Sequence, residues 1–370
     1  VGSETNTGQI LRESVGLLEC IEKVENQMKQ FTSGDLFAPR INPTEPYKVQ
    51  AWGFAAGYKN TGLGGGAPDK AIAEVELFPD NTVEVRTSSA EIGQGLVTVL
   101  QLIAAEELNL PVAQVRVLLS DTDLTPDGGP TTASRQTYVA GNAVRGAAQI
   151  LRQAIATTLA EKYDYPPEKI QFVEGLAQVD NHWIPLSEVA KEMLAEKRTP
   201  KANYEYWAPQ TKPLGEGGDM HFAFSYGAQA AEVEVNTLTG EVSVLRIIAA
   251  TDVGSIINPL GLVGQIEGGV IMGLGNALTE HFIVEEGRVF TDRIARYQIP
   301  SIGHSPEIIP IVIEHPTKDG PFGAKGIGEI VSIPTTPAIT NAIYHAVKVR
   351  VDSLPVDQEL ILESLRGREN

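Results

Sequence analysis

A single cysteine, Cys20, stands among 370 residues. That excludes an intrachain disulfide, and it excludes an iron–sulfur cluster ligated by cysteines of this chain alone. Histidine is almost as scarce: His182, His221, His281, His304, His315 and His345 are scattered, and no HxH-type pair signals a metal held by side chains. No apolar run approaches the roughly 20 residues that span a bilayer, and the N-terminus lacks a secretory h-region. Positive charge is in deficit, 29 Lys and Arg against 47 Asp and Glu, a net charge of −18. That balance argues against a nucleic-acid partner. A chain of this length with 42% hydrophobic and 21% charged residues is globular and can bury sizeable cores, most simply in two lobes. These features agree with a large cytoplasmic protein.

What the sequence has in plenty is glycine, concentrated in a few segments. In GPFGAKGIGEI (320–330) four of the nine residues 320–328 are glycine and most of the others are apolar, and then one carboxylate appears, Glu329. A carboxylate in such a setting has little water around it, and desolvation makes it a better proton acceptor. The alternative is a surface turn whose glutamate points at solvent.

Two further segments share a pattern. Residues 73–78 and 82–86 alternate apolar and polar as half-buried strands do, with Pro79, Asp80 and Asn81 as turn chemistry between them. Gly93, Gln94 and Gly95 follow, then an amphipathic helical run over 96–108. The same AEVE begins a second copy at 231, which turns at 237–240 and reaches Gly264–Gln265 before a Gly-rich apolar helix. The chain thus carries a degenerate repeat of hairpin, connector, Gly–Gln and helix. Glycine lets a ligand approach the backbone, the N–H groups of a helix start suit an anion or polar heterocycle, and a glutamine offers donor and acceptor together. Close helix–sheet packing with ordinary surface glutamines is the competing account. A third segment, 121–144, lies between a strand over 114–120 and a long helix over 138–163. It sets Thr131, Thr132, Ser134 and Thr137 around a helix start, as caps or as a phosphate cradle to which Arg135 adds charge.

In order along the chain stand EIGQG (91–95), TTASRQT (131–137), GNAV (141–144), FSYGAQAAEVEV (224–235), DVGSIINP (252–259), GQIEGG (264–269), GPFGAKGIGE (320–329) and PAITNAI (337–343). Together they resemble the molybdenum hydroxylase family of xanthine dehydrogenases, aldehyde oxidoreductases and nicotinate dehydrogenases. The resemblance runs from about residue 5 to 355 and corresponds to the C-terminal half of that family's molybdopterin-binding catalytic polypeptide. It implies a molybdenum–molybdopterin cofactor, the cytosine dinucleotide form among the options, with the metal held by pterin dithiolene sulfurs and by no side chain. It also implies hydroxylation of a small molecule, a purine- or nicotinate-like N-heteroaromatic or an aldehyde, with water as oxygen source. Electrons would pass to [2Fe–2S] and FAD on partner subunits, and a second molybdopterin-binding chain would supply the N-terminal half.

By the same resemblance Glu329 is the catalytic base. Gly93, Gln94, Gly95, Thr131, Ala133, Ser134, Arg135, Thr137 and Gln265 are the cofactor contacts. GYKNTGLGGG (57–66) falls where relatives place a substrate-stacking aromatic, which puts Tyr58 in view. Two alternatives stay open: the same family with other chemistry, of the aromatic acyl-CoA reductase or CO dehydrogenase type, or a non-catalytic structural paralogue.

Mixed hairpins and helices without βαβ alternation give an α+β fold with two hairpin–helix lobes. The expected division is 1–50, an N-terminal helix over 10–30 and an extended connector; 51–165, the first molybdopterin-binding lobe; 166–219, a short hairpin, a helix and a connecting loop; and 220–370, the second lobe with Glu329 and a C-terminal tail.

Overall fold

A computed structural model describes residues 1–367. Its fold is α+β, as expected, built on two main sheets. The centre of the first is the expected hairpin of β3 (Lys70–Leu77) and β4 (Val83–Thr87), with Glu74 opposite Arg86. The short strand β5 (Val115–Leu119) lies parallel to β4, and β9 (Lys201–Trp207) pairs antiparallel with β3. The order across the sheet is therefore β5-β4-β3-β9. Alternation does the sorting: Ala71, Ala73, Val75, Leu77, Val83 and Val85 are buried on one face. On the other, Arg86 bridges Glu74, Glu76 and Glu84.

Helices α2 (Leu96–Leu108) and α3 (Gly141–Tyr163) cover the apolar face. A Cβ at Gly146 would lie 2.2 Å from the Tyr204 ring, so glycine there lets α3 settle onto β9. A π-helical turn over 136–140 leads into α3. A small sheet of β6 (Gln171–Val173), β7 (Leu176–Val179) and β8 (His182–Pro185) precedes α4 (Leu186–Ala195).

The buried spine of the second sheet is β10 (Ala223–Asn236), hydrogen-bonded to β2 (Lys48–Thr61) on one side and to β11 (Val242–Asp252) on the other. Odd positions Ala231, Val233 and Val235 face α7 (Thr335–Val347). Even positions Ala228 and Ala230 face α1 (Leu17–Met28) through Cys20, Val24 and Met28. The edge strand β1 (Arg40–Ile41) pairs with β2. At the opposite edge β14 (Glu307–Ile313) runs parallel to β11, which gives the order β1-β2-β10-β11-β14. The crossover between β11 and β14 holds α5 (Pro259–Leu278), a small hairpin of β12 (Val284–Glu285) and β13 (Arg288–Val289), and the one-turn α6 (Ile294–Tyr297). The last described element is α8 (Gln358–Arg366).

Several expectations shift. The first helix begins at Leu17 rather than residue 10, and its Leu18 is 67% exposed. The boundary at 51 divides a strand: β2 spans 48–61 and belongs to the second sheet. Likewise β9, inside the expected connecting segment 166–219, is an edge of the first sheet. Both shifts come from long-range strand pairing, which local alternation does not reveal. In the second repeat Gly264–Gln265 lies inside α5, in its second turn, rather than ahead of a helix.

Candidate active site

Loop 320–329 is shaped by contacts to backbone. A Cβ at Gly326 would lie 1.5 Å from the Ser134 carbonyl oxygen, so no side chain fits there. Ser134 and its neighbour Ala133 both take left-handed backbone, with φ of 50° and 51°, a conformation that costs free energy outside glycine and persists where surroundings enforce it. The Glu329 N–H donates to Ser134 Oγ at 3.3 Å, and the Gly62 N–H donates to the Ala133 carbonyl at 2.9 Å. The glycines at 326 and 328 therefore admit another loop of the same chain.

That second loop is tied in turn to the Gly93 segment. The Ala90 N–H donates to Thr131 Oγ1 at 2.8 Å, and Ser89 Oγ donates to Gln136 Oε1 at 2.7 Å. On the far side, α5 presses against the residues after Glu329: a Cβ at Gly269 would meet Val331 at 2.3 Å, and one at Gly273 would meet Thr335 at 2.4 Å. Gln229, buried on β10, donates to the Val331 carbonyl and accepts from Thr335 Oγ1. The fold thus brings the 91–95 loop, the 131–135 loop, residues 326–332 and α5 together.

Glu329 itself departs from the expected enclosure. Its side chain is 42% exposed, and Oε1 faces Lys59 Nζ at 3.5 Å. Its other oxygen, Oε2, is buried with no hydrogen-bond partner among the described residues. The carboxylate is therefore split between a wet, charge-paired oxygen and a dry, unpaired one. Tyr58, next to Lys59 on β2, hydrogen-bonds Asn6 Oδ1 and stands edge-on to Phe224 at 5.5 Å.

The expected phosphate cradle is corrected by Arg135. Its guanidinium is fully buried and donates to Asp69 Oδ1 at 2.7 Å, to the carbonyls of Gly128 and Pro130, and to that of Lys70. It braces the loop from within and has no face for a ligand. Thr131 Oγ1 accepts from both Ala90 N–H and Gln136 Nε2, while Thr137 sits half-buried in the π turn.

The start of α2 is corrected as well. The N–H groups of Gly93, Gly95 and Val97 donate to the Glu91 carboxylate at 2.8, 3.1 and 3.0 Å. The helix start therefore already holds an anion. Burial by itself would raise the Glu91 pKa, but these N–H donors outweigh it and hold the carboxyl below its ordinary value. Gln94 is turned onto its own loop, accepting from Ile92 N–H at 2.7 Å and donating to the Ala90 carbonyl at 2.9 Å. Gln265 differs: its amide has no hydrogen-bond partner among the described residues. Around it, Gly264 and Gly268 have nothing within 4 Å of where a Cβ would lie. Two surface clefts of about 480 and 310 Å³, lined chiefly by α3, contain none of these site residues.

A family model described as the molybdopterin cofactor-binding domain matches residues 37–306. The chain belongs to that family. The matched stretch covers both first-lobe loops and α5 and ends before Glu329. This molybdopterin-binding chain is 31% identical over 319 residues to a probable xanthine dehydrogenase subunit of Bacillus subtilis (strain 168), a match covering 86% of this chain and 42% of that protein. It is 33% identical over 299 residues to the 6-hydroxypseudooxynicotine dehydrogenase complex subunit gamma of Paenarthrobacter nicotinovorans, covering 79% and 37%. The crystal structure of quinoline 2-oxidoreductase from Pseudomonas putida 86 superimposes with a TM-score of 0.83 at 26% identity, over 99% of this chain and 47% of that one. The chain spans less than half the length of each of these relatives. Among the described residues no helix is long and apolar enough to cross a membrane.

Sequence reasoning missed Lys59, Asp69, Lys325 and Asp252. The last two carried a signal: each is a lone charge in an apolar stretch, GAKG and AATDVG, and the signs are opposite. The pair meets at 2.7 Å with both side chains fully buried.

Proposed function

We propose that this chain is the C-terminal half of the catalytic, molybdopterin-binding unit of a cytoplasmic molybdenum hydroxylase. The observation that carries the reading is Glu329 Oε2, buried and unbonded. A dry carboxylate oxygen without a donor is costly, of order 1–3 kcal/mol, and fits a site where the donor arrives with cofactor or substrate. Glu329 accepts the proton there. Lys59 Nζ stands 3.5 Å from Oε1 and pairs with that oxygen, leaving Oε2 as the accepting one.

Gln265 fits the cofactor on the α5 side, its amide unengaged and its neighbouring glycines bare. Ser134 and the backbone of Ala133 fit it on the other, while Gly93, Gln94 and Gly95 form the loop beside them. When bound, molybdopterin with its metal supplies two-electron redox chemistry. The substrate class is an N-heteroaromatic or an aldehyde, with water as the oxygen source and [2Fe–2S] and FAD on partner subunits draining the electrons.

A second molybdopterin-binding chain completes the cleft. Leu260, Gly264, Gly268 and Met272 recur every four residues along α5 and so share one face. Leu260 is 85% exposed, and the neighbouring segment bares Phe282, Ile294 and Ile302, the last 96% exposed. Exposed apolar side chains such as these support the reading that a partner covers this side. In the assembled, molybdenum-loaded enzyme Glu329→Gln is expected to lower turnover by about 10²–10⁴-fold with molybdenum content unchanged. Near-normal turnover in that variant would overturn the role of Glu329. Size-exclusion chromatography with metal analysis tests the partner: a monodisperse monomer of this chain carrying stoichiometric molybdenum would overturn it.

A further inference from the structure

Loop 320–329 is held from a third direction that the proposed chemistry does not use. Lys325 Nζ donates to Asp252 Oδ2 at 2.7 Å and to the Ser14 carbonyl at 2.9 Å. The same Asp252 oxygen accepts from the Gly16 N–H at 3.0 Å. Its other oxygen accepts from the N–H groups of Gly254 at 3.1 Å and His315 at 3.3 Å. Backbone bonds lace the same segments together: the Lys325 N–H donates to the Val253 carbonyl, and the Ser255 N–H to that of Gly323. Three stretches far apart in sequence, 14–16, 252–255 and 323–326, thus meet at one buried ion pair.

Removing two full charges from water costs several kcal/mol per ion, and apolar replacements of such pairs are often as stable. Stability alone is therefore a poor account of the pair. Position is a better one, because the next residue, Gly326, is locked in place. It abuts the Ser134 carbonyl, and its own carbonyl accepts from the Ser225 hydroxyl. Glu329 follows three residues later.

We propose that Lys325 and Asp252 are positioning residues that fasten the Glu329 loop to the N-terminal segment 14–16, so that this segment sets where the Glu329 carboxylate stands. The proposal rests on Glu329 as the proton acceptor for its consequence in turnover, but the coupling of segment to loop stands on its own.

Gly16→Ala tests it without replacing Glu329, Lys325 or Asp252: the added Cβ would lie 2.6 Å from Asp252 Oδ2 and 2.8 Å from the His315 ring, so segment 14–16 must move off the pair. Hydrogen exchange in the full chain is expected to rise about tenfold in peptides covering 320–330 and to stay unchanged in β3. In the loaded enzyme kcat falls by up to about 10²-fold, as for a misplacement near 1 Å, with KM held within about twofold and molybdenum content intact. Leu18→Ala, two residues further on in α1 but facing solvent, changes neither. Lys325→Met gives the larger version of both effects. If that variant does not fold, Gly16→Ala decides. Faster exchange throughout the chain, or unchanged exchange at 320–330 with lowered thermal stability, would reduce segment 14–16 to a stabilising contact and overturn the proposal. An active Glu329→Gln variant would overturn the catalytic reading and leave the exchange result as it is.

Discussion

The two Gly–Gln segments carry the same dipeptide in opposite surroundings. At 93–95 the glycine N–H groups and the glutamine amide are answered from within: Glu91 takes the N–H groups of Gly93, Gly95 and Val97, and Gln94 bonds its own loop. At 264–268 the glycines interrupt a helix interior with nothing over them, and Gln265 has no partner among the described residues. Glycine in a helix costs about 1 kcal/mol relative to alanine, and Gly264 and Gly268 show no packing or positive-φ reason for it. The difference separates a side of the site that the chain fills by itself from a side that it leaves open. Substitutions on the first side should act on stability, and those on the second on cofactor and assembly.

Arg135→Met offers the largest test on the self-completed side. It strands Asp69 as a buried carboxylate without its cation, and breaking such a pair costs about 3–5 kcal/mol. Chemical denaturation of the full chain is expected to show a loss of that size. A loss below about 1 kcal/mol would mean that the guanidinium is dispensable to the loop and return it to the set of possible ligand contacts.

Next in size is the contrast between the glutamines. Gln94→Ala removes two hydrogen bonds inside its loop, each worth about 1 kcal/mol, so its first effect is on unfolding. Gln265→Ala removes none and should shift stability by less than about 0.5 kcal/mol while lowering molybdenum content in the assembled enzyme. Full molybdenum content in Gln265→Ala would erase the distinction.

How far this contrast was legible in the sequence depends on which interaction made it. The hairpins turning at 79–81 and 237–240 and the helix at 96–108 follow from short-range alternation and turn residues, and their turns and the helix stand where those rules put them, although β10 starts at Ala223, eight residues before the expected start at 231. Glu329 was legible as a lone carboxylate among glycines, but its half-exposure was not, because the glycines around it face Ser134 and the neighbouring loop instead of closing over the carboxylate. Arg135 looked like a ligand charge because its partner, Asp69, lies 66 residues earlier with no pattern linking them. The identical Gly–Gln pairs looked equivalent because local sequence does not reveal that Asn258 and Pro259 start α5 well ahead of the second one.

Gly268→Ala inverts the usual expectation for a substitution beside an active site. With open space at the Cβ and helical backbone already in place, alanine should stabilise the isolated chain by up to about 1 kcal/mol. The same methyl group would obstruct whatever covers α5, so molybdenum content or recovery of the complex falls. A gain in stability with intact loading would show that the α5 face is simply solvated.

The smallest expected effect is a pH dependence at Glu91. Its folded pKa lies below the unfolded value, held there by the N–H donors of α2 against the opposing effect of burial. Sign follows from proton uptake: the unfolded chain binds the proton more readily, so the stability this carboxylate contributes is fully present above the ordinary glutamate pKa of about 4.3 and fades as pH falls through the lower folded value. Glu91 is exposed, so screening keeps the contribution under about 1 kcal/mol, within the range for helix caps. Glu91→Gln should therefore be slightly less stable than the parent at pH 7, and the gap should close on acidification toward about pH 3, below the ordinary glutamate value. A gap that persists unchanged there would mean that the ionised carboxylate is not what satisfies the α2 start. The first Gly–Gln loop would then regain its claim to an external anion, and the contrast with α5 would disappear.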